Sequence, residues 1–266
     1  MRSISLASGV LPEFDAATVI EAAGASGFDA AGIWVEPADW TAAHTKAARA
    51  ALAQTGLPLL DVEVVWIKPD SRLDDFRKII DVGAELGARH VLCVASDPDH
   101  GAVAHALAAL CRHAEASAMR VALEFGIFTD VKNLAQAKAI VAQVAHPLAA
   151  ILIDPIHVDR SGTSIAEIAA LDPQLLPYAQ FCDAPAQRPD PQNFDAIIED
   201  AIDLRAQCGA GALPLREMLA ALPPSAPLSI ELRSKALREA HPEPVARAQA
   251  VAEATRAWLA PSLISS

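Results

Sequence analysis

Eight short runs of β-branched and apolar residues recur along this chain, and a longer stretch with helical periodicity follows almost every one. The runs predict strands at Ser3–Ala7, Ala30–Val35, Leu59–Ile67, His90–Ala95, Arg120–Phe125, Ala150–Ile156, Ala179–Cys182 and Leu228–Leu232. Predicted helices lie between and after them at Ala16–Ser26, Trp40–Thr55, Leu73–Leu86, Gly101–Ala118, Leu134–Val144, Ile165–Ala170 and Pro244–Leu259. Strand starts fall about thirty residues apart, one strand–helix unit each. The interval before the last strand is nearly twice as long and reads as a loop, a helix, a Gly-rich turn and a second helix. Strict alternation implies an all-parallel sheet covered by helices. With eight strands in 266 residues, the expected fold is a single-domain (β/α)₈ barrel over residues 1–266, because such barrels need about 250 residues. The first predicted strand is not followed by a G-x-G-x-x-G turn, which argues against an open dinucleotide-binding sheet.

Local signals agree with these boundaries. Gly27, Gly56 and Gly87 each follow a helical run, where a left-handed residue ends a helix well. Asp70-Ser71 and Ser164 are expected N-caps. The apolar fraction of 53% is enough for a large core. A net charge of −12 with scattered basic residues offers no face for phosphates, so nucleic acid is not an expected partner. Cys93, Cys111, Cys182 and Cys208 form neither a C-x-x-C pair nor zinc-finger spacing and read mostly as buried thiols. The N-terminus lacks the pattern of a secretory signal and no apolar run is long enough to span a membrane, so a cytoplasmic protein is expected.

In a barrel of this kind the chemistry sits at the C-terminal ends of the strands. There the last four runs carry oxygen donors: Glu124 in RVALEF, Asp154 with His157 three residues on in AILIDPIH, Gln180 and Asp183 in YAQFCDAP, and Glu231 with Arg233 in PLSIELRS. Each has an ordinary structural reading as a rim ion pair, a turn residue or a satisfied strand polar group. Glu124 and Glu231, however, are embedded in apolar sequence, and ionised carboxylates are rarely buried unless paired or metal-bound. Converging carboxylates also repel unless a cation neutralises them. A divalent metal is therefore expected. Hard oxygen donors favour Mg²⁺ or Mn²⁺, with Zn²⁺ and Co²⁺ as further options.

The segments ALEFG, LIDPIHVDRSG, AQFCDAP and SIELRS resemble the xylose-isomerase-like barrel superfamily of sugar isomerases and epimerases, and the resemblance runs the length of the chain. Gln180 is similar to the variant found near hydroxypyruvate isomerase. The resemblance implies Glu124, Asp154, Gln180 and Glu231 as metal ligands, Glu124 and Glu231 as the proton-transferring pair, and His157 and Arg188 as substrate-binding residues. It also implies isomerisation or epimerisation of a small keto sugar, sugar phosphate or hydroxy-keto acid through an enediolate. The sequence departs from the family at Gly209-Ala210-Gly211, where relatives often carry an acidic residue between the glycines. Arg188 also lies one position further from Gln180 than the family arginine.

Three assignments stay open at this level. Glu63 and Trp66 line the pocket, or Glu63 faces a helix. Arg233 grips a substrate carboxylate or phosphate, or forms a surface ion pair. A dehydratase resembling 3-dehydroshikimate dehydratase and a non-catalytic sugar-binding barrel are the rival functions. An endonuclease-IV-like enzyme would need more histidines near the site. A small-molecule substrate and a homodimer complete the expectations.

Overall fold

The computed structural model describes residues 2–260; Met1 and residues 261–266, the ends of the expected domain, lie outside it. The first half alternates without exception: β1 (Ile4–Leu6), α1 (Ala16–Ala25), β2 (Ala30–Trp34), α2 (Ala42–Thr55), β3 (Leu59–Ile67), α3 (Leu73–Leu86), β4 (His90–Ala95) and α4 (His100–His113). The second half adds extra helices: β5 (Arg120–Glu124), α5 (Leu134–Val144), β6 (Ala149–Leu152), α6 (Pro155–Ser161), α7 (Ile165–Ala169), β7 (Ala179–Phe181), α8 (Phe194–Ile202) and α9 (Leu215–Ala221). β8 (Leu228–Ile230), α10 (Lys235–Ala240) and α11 (Pro244–Leu259) close the described chain.

All named strand pairs are parallel, in the order β6-β5-β4-β3-β2-β1-β8-β7. A parallel bridge between Ile153 and Ala179 joins the two edges, so the sheet is a nearly closed (β/α)₈ barrel. One apolar layer, including Ile4, Leu6, Val62, Val65 and Val121, packs between sheet and helices. A second, smaller cluster of Ala30, Leu60, Leu92, Ala122, Ala150, Leu152 and Tyr178 fills the barrel itself. The pairing of β3 with β4 slips between Val62 and Val65. A regular strand would turn Glu63 and Trp66 to opposite faces. After the slip, both line one cavity inside the barrel mouth.

Two local expectations change. The apolar run predicts strand six as far as Ile156, but the strand ends at Leu152 and Pro155 opens α6. Proline has no N–H to lose at a helix start and its fixed φ suits the first turn. The cap of α3 is Arg72, without a side-chain bond; Ser71 Oγ instead accepts from the Lys68 N–H. Ser164 does cap α7, in a reciprocal capping box with Glu167. Gly27, Gly56 and Gly87 all have positive φ. Among the described residues no helix is long and apolar enough to cross a membrane.

At the bottom of the barrel His90 stacks on Tyr178, with ring centroids 4.6 Å apart. Burial, helped by Arg120 and Arg89, pushes the His90 imidazole down to about 3. Folded His90 therefore stays neutral where the unfolded chain takes up a proton, near its ordinary value of about 6.5. Its effect is absent above that pH, and stability falls as pH drops from about 6.5 toward 3. The expected slope is up to about 1.4 kcal/mol per pH unit. His90→Phe keeps a ring on Tyr178 and should flatten the urea-denaturation stability profile between pH 6.5 and 4 relative to wild type. Parallel profiles for the two proteins would contradict this.

Candidate active site

Each candidate side chain is delivered by a strand end or the turn beyond it. Glu124 is the last residue of β5, Gln180 lies in β7, and Glu231 directly follows β8. Asp154 is the N-cap of α6, accepting the Ile156 N–H at 3.1 Å. His157 sits one turn into the same short helix, so the D-P-x-H segment holds both groups side by side. The ligating atoms of Glu124, Asp154 and His157 all lie within 4.8 Å of one another, and all three residues are buried.

This grouping shares Glu124 and Asp154 with the expected ligand set. His157, expected to bind substrate, lies among the donors, while Glu231 lies outside this group. Glu231 Oε1 accepts from Arg233 Nε at 2.7 Å, while its Oε2 is left without a partner. Gln180 and Glu231 nevertheless line the same cavity as Glu124 and His157, together with Glu63, Trp66 and Arg233. Its volume is about 270 Å³, near the lower end (about 300 Å³) of small-molecule pockets. Arg188 is not part of it. It lies on the surface with Nε and Nη2 each 2.9 Å from the carboxylate of Asp159. Residues 185–188, directly after the buried Ala184, are all exposed.

The residue that sequence reasoning missed is Arg205. It is buried just after α8, in a segment bridged to Asp183 and Ser234 on either side. Its Nη1 donates to Asp154 Oδ2 at 2.5 Å and to the Glu231 carbonyl at 3.1 Å, and Nε donates to the Ala201 carbonyl at 2.6 Å. Nη2 is 3.5 Å from His157 Nε2. A buried Asp154 demands a cation, but the run I-D-L-R-A-Q offers no sign that this arginine supplies it.

Electrostatics sort the groups. Burial pulls Arg205 down, but the Asp154 carboxylate, with Cys182 and Glu231, more than offsets it and keeps the guanidinium charged. Burial likewise raises Asp154, yet Arg205 and His157 hold it below the usual carboxylate range. Glu124 is pushed well above that range, first by burial and then by Asp154. Burial and the Glu231 charge raise Glu63 to about 7, against the pull of Arg233 and Ser8. Burial lowers His157 to about 4, leaving the neutral imidazole that coordination requires.

Those groups fit a cation. Glu63, Glu124, Asp154 and Glu231 are four carboxylates facing two guanidinium groups, so two negative charges are unmatched when all are ionised. Glu124 Oε1 and Glu231 Oε2 are fully buried with no hydrogen-bond partner. Such orphaned oxygens are costly unless something positive meets them. Two glycines make the arrangement sterically feasible. A Cβ on Gly9 would lie 2.1 Å from Glu231 Oε1 and 2.6 Å from Arg233 Nε. A Cβ on Gly211 would lie 2.3 Å from Asp183 Oδ1. Asp183 is structural: it accepts from the N–H groups of Ala184, Gly209 and Leu213 and so shapes the Gly-Ala-Gly turn.

A parallel eight-stranded barrel with a carboxylate-rich cavity at its strand ends defines the class as the (β/α)₈ barrel proteins. Within it, the sequence profile of the xylose isomerase-like TIM barrel matches residues 20–260, and the chain belongs to that family. No curated protein matches the chain by sequence. Solved structures share the fold at low identity. A xylose isomerase-like TIM barrel/4-hydroxyphenylpyruvate dioxygenase fusion protein superposes with a TM-score of 0.80 at 22% identity, covering 95% of this chain. The chain spans only 42% of that fusion protein. The IolI protein, solved with a bound zinc atom, has a TM-score of 0.79 at 17% identity, covering 98% of this chain and 100% of the other. D-psicose 3-epimerase from Clostridium cellulolyticum H10, solved with D-tagatose, has a TM-score of 0.73 at 14% identity, covering 98% and 100%.

Proposed function

We propose that this barrel is a divalent-metal-dependent isomerase or epimerase acting on a small keto sugar or hydroxy-keto compound, with proton transfer through an enediolate. The observation that carries the reading is the convergence of the buried Glu124, Asp154 and His157, two of which, Glu124 and His157, line the same cavity as Glu231 with its unpartnered Oε2. The zinc atom of IolI and the ketose in the psicose epimerase support it by fold analogy. Glu124, Asp154 and His157 would hold the ion, with Gln180 and Glu231 completing the donor set. Two carboxylates suit Mg²⁺ or Mn²⁺, and the imidazole also suits Zn²⁺ or Co²⁺. A bound divalent ion supplies Lewis-acid polarisation of a carbonyl.

The residues supply the rest. With a cation bound, ionised Glu124 Oε1 would take a proton from the carbon beside the carbonyl. Glu231 Oε2, carrying a proton taken up from solvent, would give it to the other face or the next carbon; exchange with solvent then resets both carboxyls. Arg205, which lines the same cavity with Nη2 3.5 Å from His157 Nε2, would donate to developing oxyanion charge. Trp66, packed edge-on against Phe128, closes the apolar side of the cavity, and Trp66 Nε1 is anchored to Ser96 Oγ at 2.9 Å. Excluding water strengthens every polar contact inside.

In D₂O with Mn²⁺, a panel of ketoses and hydroxypyruvate should yield a product carrying deuterium at one carbon adjacent to the carbonyl, read by NMR. EDTA should stop the exchange and Mn²⁺ restore it. No exchange with any member, or growth of enone absorbance from 3-dehydroshikimate instead, would overturn the isomerase reading.

A further inference from the structure

A second cavity of about 390 Å³ adjoins the catalytic one, and the two share the side chains of Trp34 and Arg233 as a common wall. It opens between the loops after β1 and β2, over the first turns of α1 and α2, and is the larger of the two. The floor is apolar, built from Leu11, Phe14, Trp34 and Trp40. Trp34 is 41% exposed, unusual for so large an apolar side chain. Trp40 is held in place by a bond from Nε1 to Thr45 Oγ1 at 2.8 Å.

Charge narrows the occupant. Asp15, Glu36 and Asp39 line this cavity, against His44 and Arg233. The Arg233 guanidinium is already committed to Glu231 and lies 5.9 Å from the Trp34 ring centroid. Among the described residues lining this cavity three acids face one arginine, whose Nε is bound to Glu231, so a phosphate or carboxylate there meets net repulsion. Indole faces beside hydrogen-bond acceptors instead suit a ring with an apolar face and hydroxyl donors at its edge.

We infer that this cavity is a distal subsite for an uncharged six-membered ring linked to the portion held in the catalytic cavity, so that the preferred substrate is a two-ring glycoside or ether of a keto sugar. The inference rests on the function proposed above only for the chemistry of the first ring. The second ring is either a sugar or an aryl group; both present a flat apolar face to indole.

The test compares ligands by isothermal titration calorimetry. D-fructose fills the catalytic cavity alone. Isomaltulose and lactulose add a hexose ring, 6-O-benzyl-D-fructose adds an aryl ring, and D-fructose 6-phosphate adds charge. At least one two-ring ligand should bind about tenfold or more tighter than D-fructose, about 1.4 kcal/mol, and the phosphate should bind no tighter. A preference for the hexose or for the benzyl arm tells which ring the subsite takes. Ala47→Trp, made at an exposed α2 position lining only the second cavity, should erase the gain while D-fructose binds as before. Trp40→Ala should reduce it. Equal binding of one- and two-ring ligands, or a gain that survives Ala47→Trp, would overturn the subsite. Deuterium exchange into D-fructose reports the catalytic reading separately. Exchange without a two-ring preference removes only the subsite, and a two-ring preference without exchange on any probe removes only the proposed reaction.

Discussion

Glu124→Gln is expected to lower turnover by about 10²–10⁴-fold, the range that a positioned proton-transfer group contributes, while the barrel folds as before. The substitution is nearly isosteric and removes both the proton-accepting oxygen and a ligand charge. Mn²⁺ content of the purified variant should fall with activity, because Glu124 Oε1 has no other partner to hold it in place. Stability should move the opposite way when the metal is stripped. Burial and Asp154 raise Glu124 above its unfolded value of about 4.3. The folded protein therefore keeps a proton that the unfolded chain releases. The stability associated with this group is full below about pH 4.3 and declines as pH rises toward the folded pKa. The amide introduced by Glu124→Gln does not titrate, so in EDTA the variant should gain on wild type between pH 5 and 8, measured by urea denaturation. Wild-type turnover and metal content in Glu124→Gln would remove this residue from the mechanism.

Arg205→Met is expected to have the largest effect on the fold, about 3–5 kcal/mol, because it strands a buried carboxylate. Asp154 has no exposed surface, and its Oδ2 meets Nη1 of Arg205 at 2.5 Å. Methionine fills much of the same volume, so lost packing contributes little and lost charge dominates. Adding Asp154→Leu to Arg205→Met should recover most of the loss, since removing both partners costs less than removing one. Urea denaturation in EDTA gives both numbers without interference from bound metal. A loss under about 1 kcal/mol for the single variant would place this pair among ordinary surface ion pairs.

How far the chain could be read in advance depended on the range of the interactions involved. Periodicity is local, so α3, α5 and α11 were legible to the residue, and the strand count to the full eight. Residues ending apolar runs were legible too, because a parallel barrel must place strand ends at one rim. For that reason Glu124, Asp154, Gln180 and Glu231 could be marked as donors. Where β6 stops was harder, since an apolar run continues through Ile153 and only proline geometry turns the chain into α6.

What the amino-acid order determined by itself is the alternating layout and the set of donors delivered to the mouth of the barrel. Only the tertiary structure decided how they are shared out. His157 joined Asp154 through a helix cap, Glu231 was claimed by Arg233, Arg188 was left on the surface, and Arg205 came inside from a segment fifty-one residues beyond its partner. The slip in β3 that turns Glu63 and Trp66 into one cavity belongs to the same group. Pairings of this kind depend on which charges burial brings within reach of each other, and in a buried site the nearest opposite charge outweighs any local preference.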